Sequence, residues 1–345
     1  MSFMDELASA IGKNDAPTKV KTWLNTGHPL LNDAISGSYH GGLPVGRMVE
    51  MFGPPSCGKT AIATEAMICA QRMGGVAMFF DHENSFDVGL AESMGLDPNG
   101  RWVFKAPDTF EQSVHAASKA ARHIREKGLI DPKAPIIVVF DSLASMVPRS
   151  KMEKEVDEHN MNDKLALPAA TSAAFPVLAK MSEKDQWTPM FLNQIRDNVS
   201  GYGEKHKTPG GNAPEFYASV RIALKRTKKT KGTGSTKVIN GQTIEAEVVK
   251  NKVHRPFERC KWDFMFTETG EGKFDPVGSV LDHLIDLNIL ERKGARVTWE
   301  GKSLYRDDIV ARIEETGDRL ALYSLLPNWE ADRAASTSVI DWNLA

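Results

Sequence analysis

The sequence predicts an α/β fold built on a mostly parallel, twisted sheet, and three observations carry that expectation. Apolar runs alternate with helical segments along the first half of the chain, the order that builds parallel βαβ units. One run, Pro135 to Phe140, is apolar without interruption, as a strand buried on both faces must be. Between one such strand and the helix after it, Gly53-Pro54-Pro55-Ser56-Cys57-Gly58-Lys59-Thr60 fits G-x-x-x-x-G-K-[ST], the phosphate-binding P-loop.

The elements follow in order. Residues 1–25 hold one weakly amphipathic segment, Phe3 to Ile11, and then a polar tether. Arg47 to Phe52 reads as the strand before the P-loop. Ala61 to Arg72, free of Gly and Pro, reads as the helix after it, stopped by Gly74-Gly75. Gly53 and Gly58 let successive backbone N–H groups turn toward phosphate oxygens at a helix N-terminus. Lys59 would reach the β- and γ-phosphates, and the Thr60 hydroxyl would hold Mg²⁺. Val76 to Phe80 is a strand ending in Asp81-His82-Glu83, followed by a helical segment, Val88 to Met94, and a strand, Trp102 to Lys105. Thr109 to Lys127 is a helix with Asp108 or Thr109 as its cap. The apolar strand ends in Asp141, at the sheet edge where ligands bind in open α/β folds, so Asp141 is the expected metal-site acid. Glu83 ends the neighbouring strand, within reach of a water attacking the γ-phosphate. Met190 to Gln194 is a further strand whose tip, Asn193-Gln194, is a γ-phosphate sensor or a hydrogen-bonded cap.

Two long polar segments, 148–164 and 196–212, interrupt this pattern, and loops of that length are functional or disordered. Residues 225–231 place five cations in seven positions and lead into a predicted β-hairpin closing near Val248-Val249. A hairpin so one-signed points to a polyanion. From residue 270 the composition changes, and helix, hairpin (Ala295 to Tyr305) and helix make a small α/β unit to residue 327. Positions 328–345 read as a polar, mobile tail.

Composition sets the frame. At 345 residues the prior is two domains of ~150 each. With 41% hydrophobic and 26% charged residues the chain is an ordinary globular one. No apolar run approaches the ~20 residues of a membrane span, and the acidic N-terminus is no signal peptide, so a cytoplasmic location without a membrane partner is expected. The cysteines, Cys57, Cys69 and Cys260, lack metal-ligand spacing. Cys57 inside the P-loop is a small tolerated side chain or a redox group, and its alkylation should inhibit unless nucleotide protects it. The net charge of −2 argues only against a uniformly basic surface.

The chain resembles the bacterial-type RecA recombinases, including phage-borne relatives. The resemblance rests on Gly41 to Arg47, the P-loop, Phe80-Asp81-His82-Glu83, Val138 to Ser142, Phe191 to Arg196, Gly210-Gly211-Asn212 with Phe216 to Arg221, and Val248 to Lys252. It implies a RecA-like ATPase core over 26–269, between the N-terminal arm and the C-terminal unit. It implies ATP and Mg²⁺ as cofactors, with Glu83 as catalytic base, Gln194 as γ-phosphate sensor, and Lys250 and Lys252 reaching the ATP of an adjacent protomer. Asp87 joins the P-loop residues and Asp141 in the nucleotide-binding set. The two long loops become single-stranded DNA loops, with Met161 and Val199 as wedges between bases and Arg196, Gly210, Gly211 and Asn212 on phosphates. Lys225, Arg226, Lys228 and Lys229 would meet incoming double-stranded DNA. Three departures stand out. Leu90 replaces the aromatic that stacks on adenine. Leu165 to Leu178 carries no charge and two prolines, Pro168 and Pro176. The acidic C-terminal tail of many members is missing.

The function expected from all this is an ATP-dependent recombinase that filaments on single-stranded DNA and exchanges strands with duplex. A ring-forming helicase on the same core, and a DNA-binding filament using nucleotide only as a switch, are the alternatives.

Overall fold

The computed structural model describes residues 5–6, 9, 19–154, 161–197, 206–231, 239–267, 272–336 and 342, with positions 161–162, 197, 206, 228–231 and 239–240 described by backbone alone. Its frame is a nine-stranded sheet. In chain order the strands are β1 (Val49–Gly53), β2 (Val76–Asp81), β3 (Trp102–Lys105), β4 (Ile136–Asp141), β5 (Thr188–Gln194), β6 (Val220–Lys231), β7 (Ile239–Asn251), β8 (Arg259–Phe266) and β9 (Gly272–Asp275). In space they run β9-β8-β7-β6-β1-β5-β4-β2-β3. Every pair from β6 to β3 is parallel, and β6 through β9 form an antiparallel meander.

Among the helices are α1 (Pro29–Ser36), α2 (Lys59–Arg72), α3 (Val88–Met94), α4 (Phe110–Glu126), α5 (Ala166–Lys184), α6 (Pro276–Asp286) and α7 (Arg306–Thr316). Strand alternation divides the apolar residues between two cores. Along β4, Ile137 and Val139 join Met51, Leu192 and the α2 residues Ile62, Ala66 and Met67 on one face. Ile136, Val138 and Phe140 join Phe80, Phe191, Phe110 and Phe175 on the other, under α4 and α5. This double coverage is why the run 136–140 carries no polar residue. It also aligns the strand ends, because Asp81 pairs with Asp141 and Gly53 with Gln194. Four strand tips thus meet at one edge.

Several boundaries differ from expectation for local reasons. Thr109 is the cap of α4, its hydroxyl accepting from Gln112 N at 3.3 Å. The first helix of the C-terminal unit ends at Asp286, and Asn288 just beyond it turns to φ +58°. At α7 neither Asp307 nor Asp308 caps; both lie in the first turn, where acids suit the helix dipole. Residues 163–184 are long and apolar enough, by length and composition, to cross a membrane, against the expectation of no such run. That helix lies against the sheet instead, burying Thr171, Phe175, Leu178 and Ser182 and holding Pro176 in its interior.

The C-terminal helices share the core of the P-loop helix, through Val277, Leu281, Ile309 and Tyr323 among others. Arg306 ties α6 down, its Nη2 reaching Asp282 at 2.9 Å and Asp275 at 3.4 Å. Beyond Asn328, where a mobile tail is expected, Trp329–Ala335 is a helix. Trp329 and Trp342 are both buried, and the Trp342 indole donates to His40 Nδ1 at 3.2 Å. The polar composition of this stretch conceals two aromatic anchors.

Candidate active site

The P-loop closes between β1 and α2 with Gly58 in the left-handed region at φ +88° as the N-cap. A side chain there would meet Ile244, and one at Gly53 would meet the carbonyl of Leu224, so both glycines are required by close approach. Lys59 Nζ donates to the carbonyl oxygens of Pro54 at 2.9 Å and Gly53 at 3.1 Å, an ammonium held over the loop. Cys57 is 1% exposed and burial pushes its thiol up, with Lys59 opposing. It is a packed side chain, which favours the small-residue reading over a redox group.

Opposite the loop stands an acid cluster. Thr60 Oγ1 donates to Asp141 Oδ2 at 2.7 Å, so the two residues assigned to the metal touch. Burial pushes the Asp141 carboxyl up to about 6; the Thr60 bond and Lys59 oppose this, and the Glu83 and Asp81 carboxylates reinforce it. A buried carboxylate crowded by others is short of positive charge, and its oxygen donors suit a hard divalent cation. Among the described residues no group of three or more His, Cys, Asp or Glu could hold a metal alone. Thr60 and Asp141 therefore fit Mg²⁺ as partial ligands, with phosphates and water supplying the rest.

Glu83 is fixed from three sides. Its Oε1 accepts from Gln194 Nε2 at 2.8 Å, from Ser145 Oγ at 3.2 Å, and from Ser142 Oγ. The turn that presents it is built by Asp81, whose carboxylate accepts from the backbone N–H of Glu83, Ser85 and Phe86 at 2.9 to 3.1 Å. Asn193 faces the opposite side of β5 from Gln194, as strand alternation requires. Its Nδ2 donates to Glu50 Oε1 at 2.9 Å and to the Pro209 carbonyl at 3.0 Å. Only Gln194 of the expected pair therefore meets Glu83.

These groups line a cleft of about 580 Å³. Its lining includes Ser56, Gly58, Lys59, Thr60, Glu83, Asp141 and Gln194 together with Leu90, Phe264, Phe266, Gln242 and Arg226. Phe266 is 44% exposed and stands at 89° to Phe264, 5.1 Å between centroids. Phe264 and Phe266, both on β8, line the same cleft as Leu90. Arg226, expected on duplex DNA, is exposed and lines this cleft, because β6 runs past the P-loop. Asp87 is exposed and does not line it: its Oδ1 caps α3, accepting from Leu90 N at 2.9 Å.

The remaining predicted residues lie elsewhere. Lys250 Nζ donates to the Phe216 carbonyl at 2.9 Å and to that of Glu215. Lys252 Nζ donates to the Phe216 carbonyl at 3.3 Å, on a surface where Phe216 is 67% exposed. Neither lines this cleft in its own chain. Burial, with Lys252 and Arg221 adding to it, brings the Lys250 ammonium down to about 8. Gly210 and Gly211 take φ +97° and +69°, and Thr171 Oγ1 donates to the Gly210 carbonyl at 2.8 Å. Asn212 precedes the short helix Ala213–Tyr217 without capping it, and Arg196 is exposed. Lys225 pairs with Glu245 at 2.7 Å, so part of the hairpin charge is balanced internally. Val199 lies outside the described residues, as do the side chains of Met161, Lys228 and Lys229.

Sequence reasoning passed over Asp81, Ser142, Ser145, Gln242, Phe264 and Phe266. Asp81 alone left a signal, as an acid at a strand tip beside Glu83. The rest come together only through strand order.

The RecA N-terminal domain family matches residues 3–271. A Protein RecA from Sulfurimonas denitrificans is 37% identical over 279 residues, 80% of this chain and 75% of the relative. One from Chlamydia caviae is 31% identical over 332 residues, 96% of this chain and 88% of the relative. A solved RadB recombinase gives a TM-score of 0.49 at 18% identity over 72% of this chain and 97% of that one, too slight a likeness to argue from.

Proposed function

The chain belongs to the RecA family, and on that premise we propose an ATP-dependent DNA recombinase whose protomers assemble on single-stranded DNA, hydrolyse ATP between them, and exchange strands with homologous duplex. The observation that carries the reading is the Glu83 constellation. A carboxylate held by Gln194, Ser142 and Ser145 faces the P-loop lysine and the Thr60–Asp141 pair across one cleft. Gln194 lies two residues before Arg196, where the second proposed DNA loop begins. A group that senses the γ-phosphate is therefore covalently close to a group that would touch DNA.

The chemistry is positioning and charge neutralisation. The P-loop N–H groups and Lys59 hold the β- and γ-phosphates. Thr60 and Asp141 hold Mg²⁺, which when bound supplies charge neutralisation at the phosphates. Glu83 accepts the proton of the attacking water, and Gln194 loses or keeps its bond to Glu83 according to whether a γ-phosphate is present. Lys250 and Lys252 of a neighbouring copy add cations to the leaving phosphates. At the base end, Phe266 gives a stacking face and Arg226 a polar edge contact, in place of the aromatic absent at Leu90. The recombinase reading is favoured over a helicase or a non-hydrolysing filament by the family membership together with a fully assembled base and sensor.

The test is the ATPase rate with and without single-stranded DNA, imaged in parallel by electron microscopy, for the native protein and Glu83→Gln. The native protein should be stimulated by DNA and form filaments. Glu83→Gln should lose ~10²- to 10⁴-fold in turnover, the usual share of general-base catalysis, while still binding nucleotide and DNA. Unchanged turnover would remove Glu83 as the base, and absence of DNA stimulation in the native protein would sink the reading.

A further inference from the structure

The middle of β1 carries a carboxylate that the hydrolytic site does not use. Glu50 is 1% exposed, flanked in the strand by Val49 and Met51, and three residues short of the P-loop. A charge there must be paired. Its partner is Arg221, directly across on β6, with Nε donating to Glu50 Oε2 at 2.6 Å. The guanidinium also lies 4.8 Å from the Phe52 ring centroid.

What distinguishes this pair from a core ion pair is where its other bonds go. Glu50 Oε1 accepts from Asn193 Nδ2 at 2.9 Å, and Asn193 Oδ1 accepts from the backbone N–H of Gln194 at 3.0 Å. The same Asn193 amide donates to the Pro209 carbonyl at 3.0 Å. On its far side Arg221 donates to Thr208 Oγ1 at 3.4 Å and pairs with Glu215 at 3.6 Å. One connected set of bonds thus runs from the sensor residue to the segment 208–215, which leads out of the second proposed DNA loop. The ion pair by itself is weak evidence of a stabilising role, since a buried pair is often replaceable by apolar residues without loss.

We propose that Glu50 and Arg221 are positioning residues that fix Asn193 between the nucleotide sensor and the DNA-side segment, and so carry the coupling between DNA binding and nucleotide binding. This rests on the recombinase reading. Neither residue lines the cleft that holds Lys59 and Glu83. It holds the Asn193 amide, and through it the Gln194 backbone, in register with Pro209 and Thr208.

The experiment uses the full chain with both residues neutralised, Glu50→Gln with Arg221→Gln, which leaves a hydrogen-bonding pair without a lone buried charge. ATPγS affinity is measured with and without poly(dT), alongside ATPase rate and thermal midpoint. In the native protein poly(dT) should tighten ATPγS by roughly 5- to 150-fold, the ordinary range of coupling between sites. The double variant should keep the DNA-free affinity and rate and lose that factor. Thr208→Val removes only one of the two far-side contacts of Arg221; it should weaken the same factor, and it decides the matter if the double variant does not fold. A folded double variant, or Thr208→Val in its place, with the full native factor overturns the proposal. A fall in midpoint and in all rates together also overturns it, because that is what a purely structural pair would give. If poly(dT) has no effect on the native protein, the recombinase reading fails first, which is a different result.

Discussion

Replacing Asp141 by Asn should make the nucleotide-free protein more stable while abolishing its use of Mg²⁺. Asp141 is 4% exposed, and burial chiefly sets its carboxyl at about 6. An unfolded aspartate titrates near ~3.9. The folded state therefore holds this proton more tightly than the unfolded state does. The resulting stabilisation is fully present below ~3.9 and is lost as pH rises through about 6. At about 1.4 kcal/mol per tenfold, the gap amounts to about 3 kcal/mol at most by pH 7.5. Asparagine keeps the shape and still accepts from Thr60, but has no charge to bury.

Urea midpoints in EDTA, at pH 5 and pH 7.5, measure this directly. The variant should exceed the native protein at pH 7.5 by up to about 3 kcal/mol, and by only about half that at pH 5. Adding Mg²⁺ and ADP should reverse the order, since only the native carboxylate gains a cation. A variant that is less stable at both pH values by the same margin would show that Asp141 is not an uncompensated buried acid, and the argument for a cation there would go with it.

Other outcomes follow from the same geometry. Where Lys250 rests on its own chain's carbonyl oxygens, burial brings its ammonium down to about 8, so the charged form that must move to a neighbour's phosphates grows scarce above that value; DNA-stimulated turnover should fall as pH rises past it, whereas Lys250→Arg should flatten the profile. A profile identical in both proteins removes Lys250 from the reaction. Cys57 is buried with a raised thiol, so native alkylation should be slow, should quicken in mild denaturant, and should be slowed further by nucleotide. Rapid, complete alkylation with full activity would contradict the packed P-loop. Arg226→Ala should raise the KM for ATP roughly tenfold, as loss of one charge-assisted contact does, and leave the salt slope of DNA binding unchanged. A slope lower by about 0.7 to 0.9 with KM unaltered would return Arg226 to the DNA surface.

What the sequence disclosed and what it hid divide along a physical line. The P-loop, Asp141, Glu83 and Gln194 are local signals, because each lies at the tip of a strand whose apolar run is readable by itself. Strand alternation alone puts Asn193 on the far side of β5, yet its partner Glu50 could not be foreseen. That contact depends on β1 lying between β5 and β6, a long-range arrangement. The same applies to Phe264 and Phe266, brought to the cleft by the β6–β9 meander. Arg226 sits in a run of cations that invites a DNA reading, but charge density does not tell which way a strand's side chain faces. The burial of Trp342 against His40 is another distant contact, invisible in a stretch of polar composition.

Charge balance gives an independent reason why one chain's site should need another's lysines. The charged residues lining the cleft are Lys59 and Arg226 against Glu83 and Asp141, two cations to two acids, the buried Cys57 thiol being neutral. A triphosphate with its Mg²⁺ brings about two further negative charges into this low-dielectric space. Gln194, Ser142 and Ser145 can orient the acids, but they bring no net charge. Lys250 and Lys252 are two cations on an exposed surface beside Phe216, held on the carbonyl oxygens of residues 215 and 216 and away from their own cleft. Moved onto a neighbour's phosphates they would restore neutrality, and the carbonyl bonds they leave are weaker than those they would gain. On this argument hydrolysis should depend on protein concentration, and a Glu83→Gln protomer mixed with a Lys250→Ala, Lys252→Ala protomer should recover part of the native rate at their shared seams. No recovery, with both variants shown to assemble together, would mean that the cleft is neutralised from within its own chain.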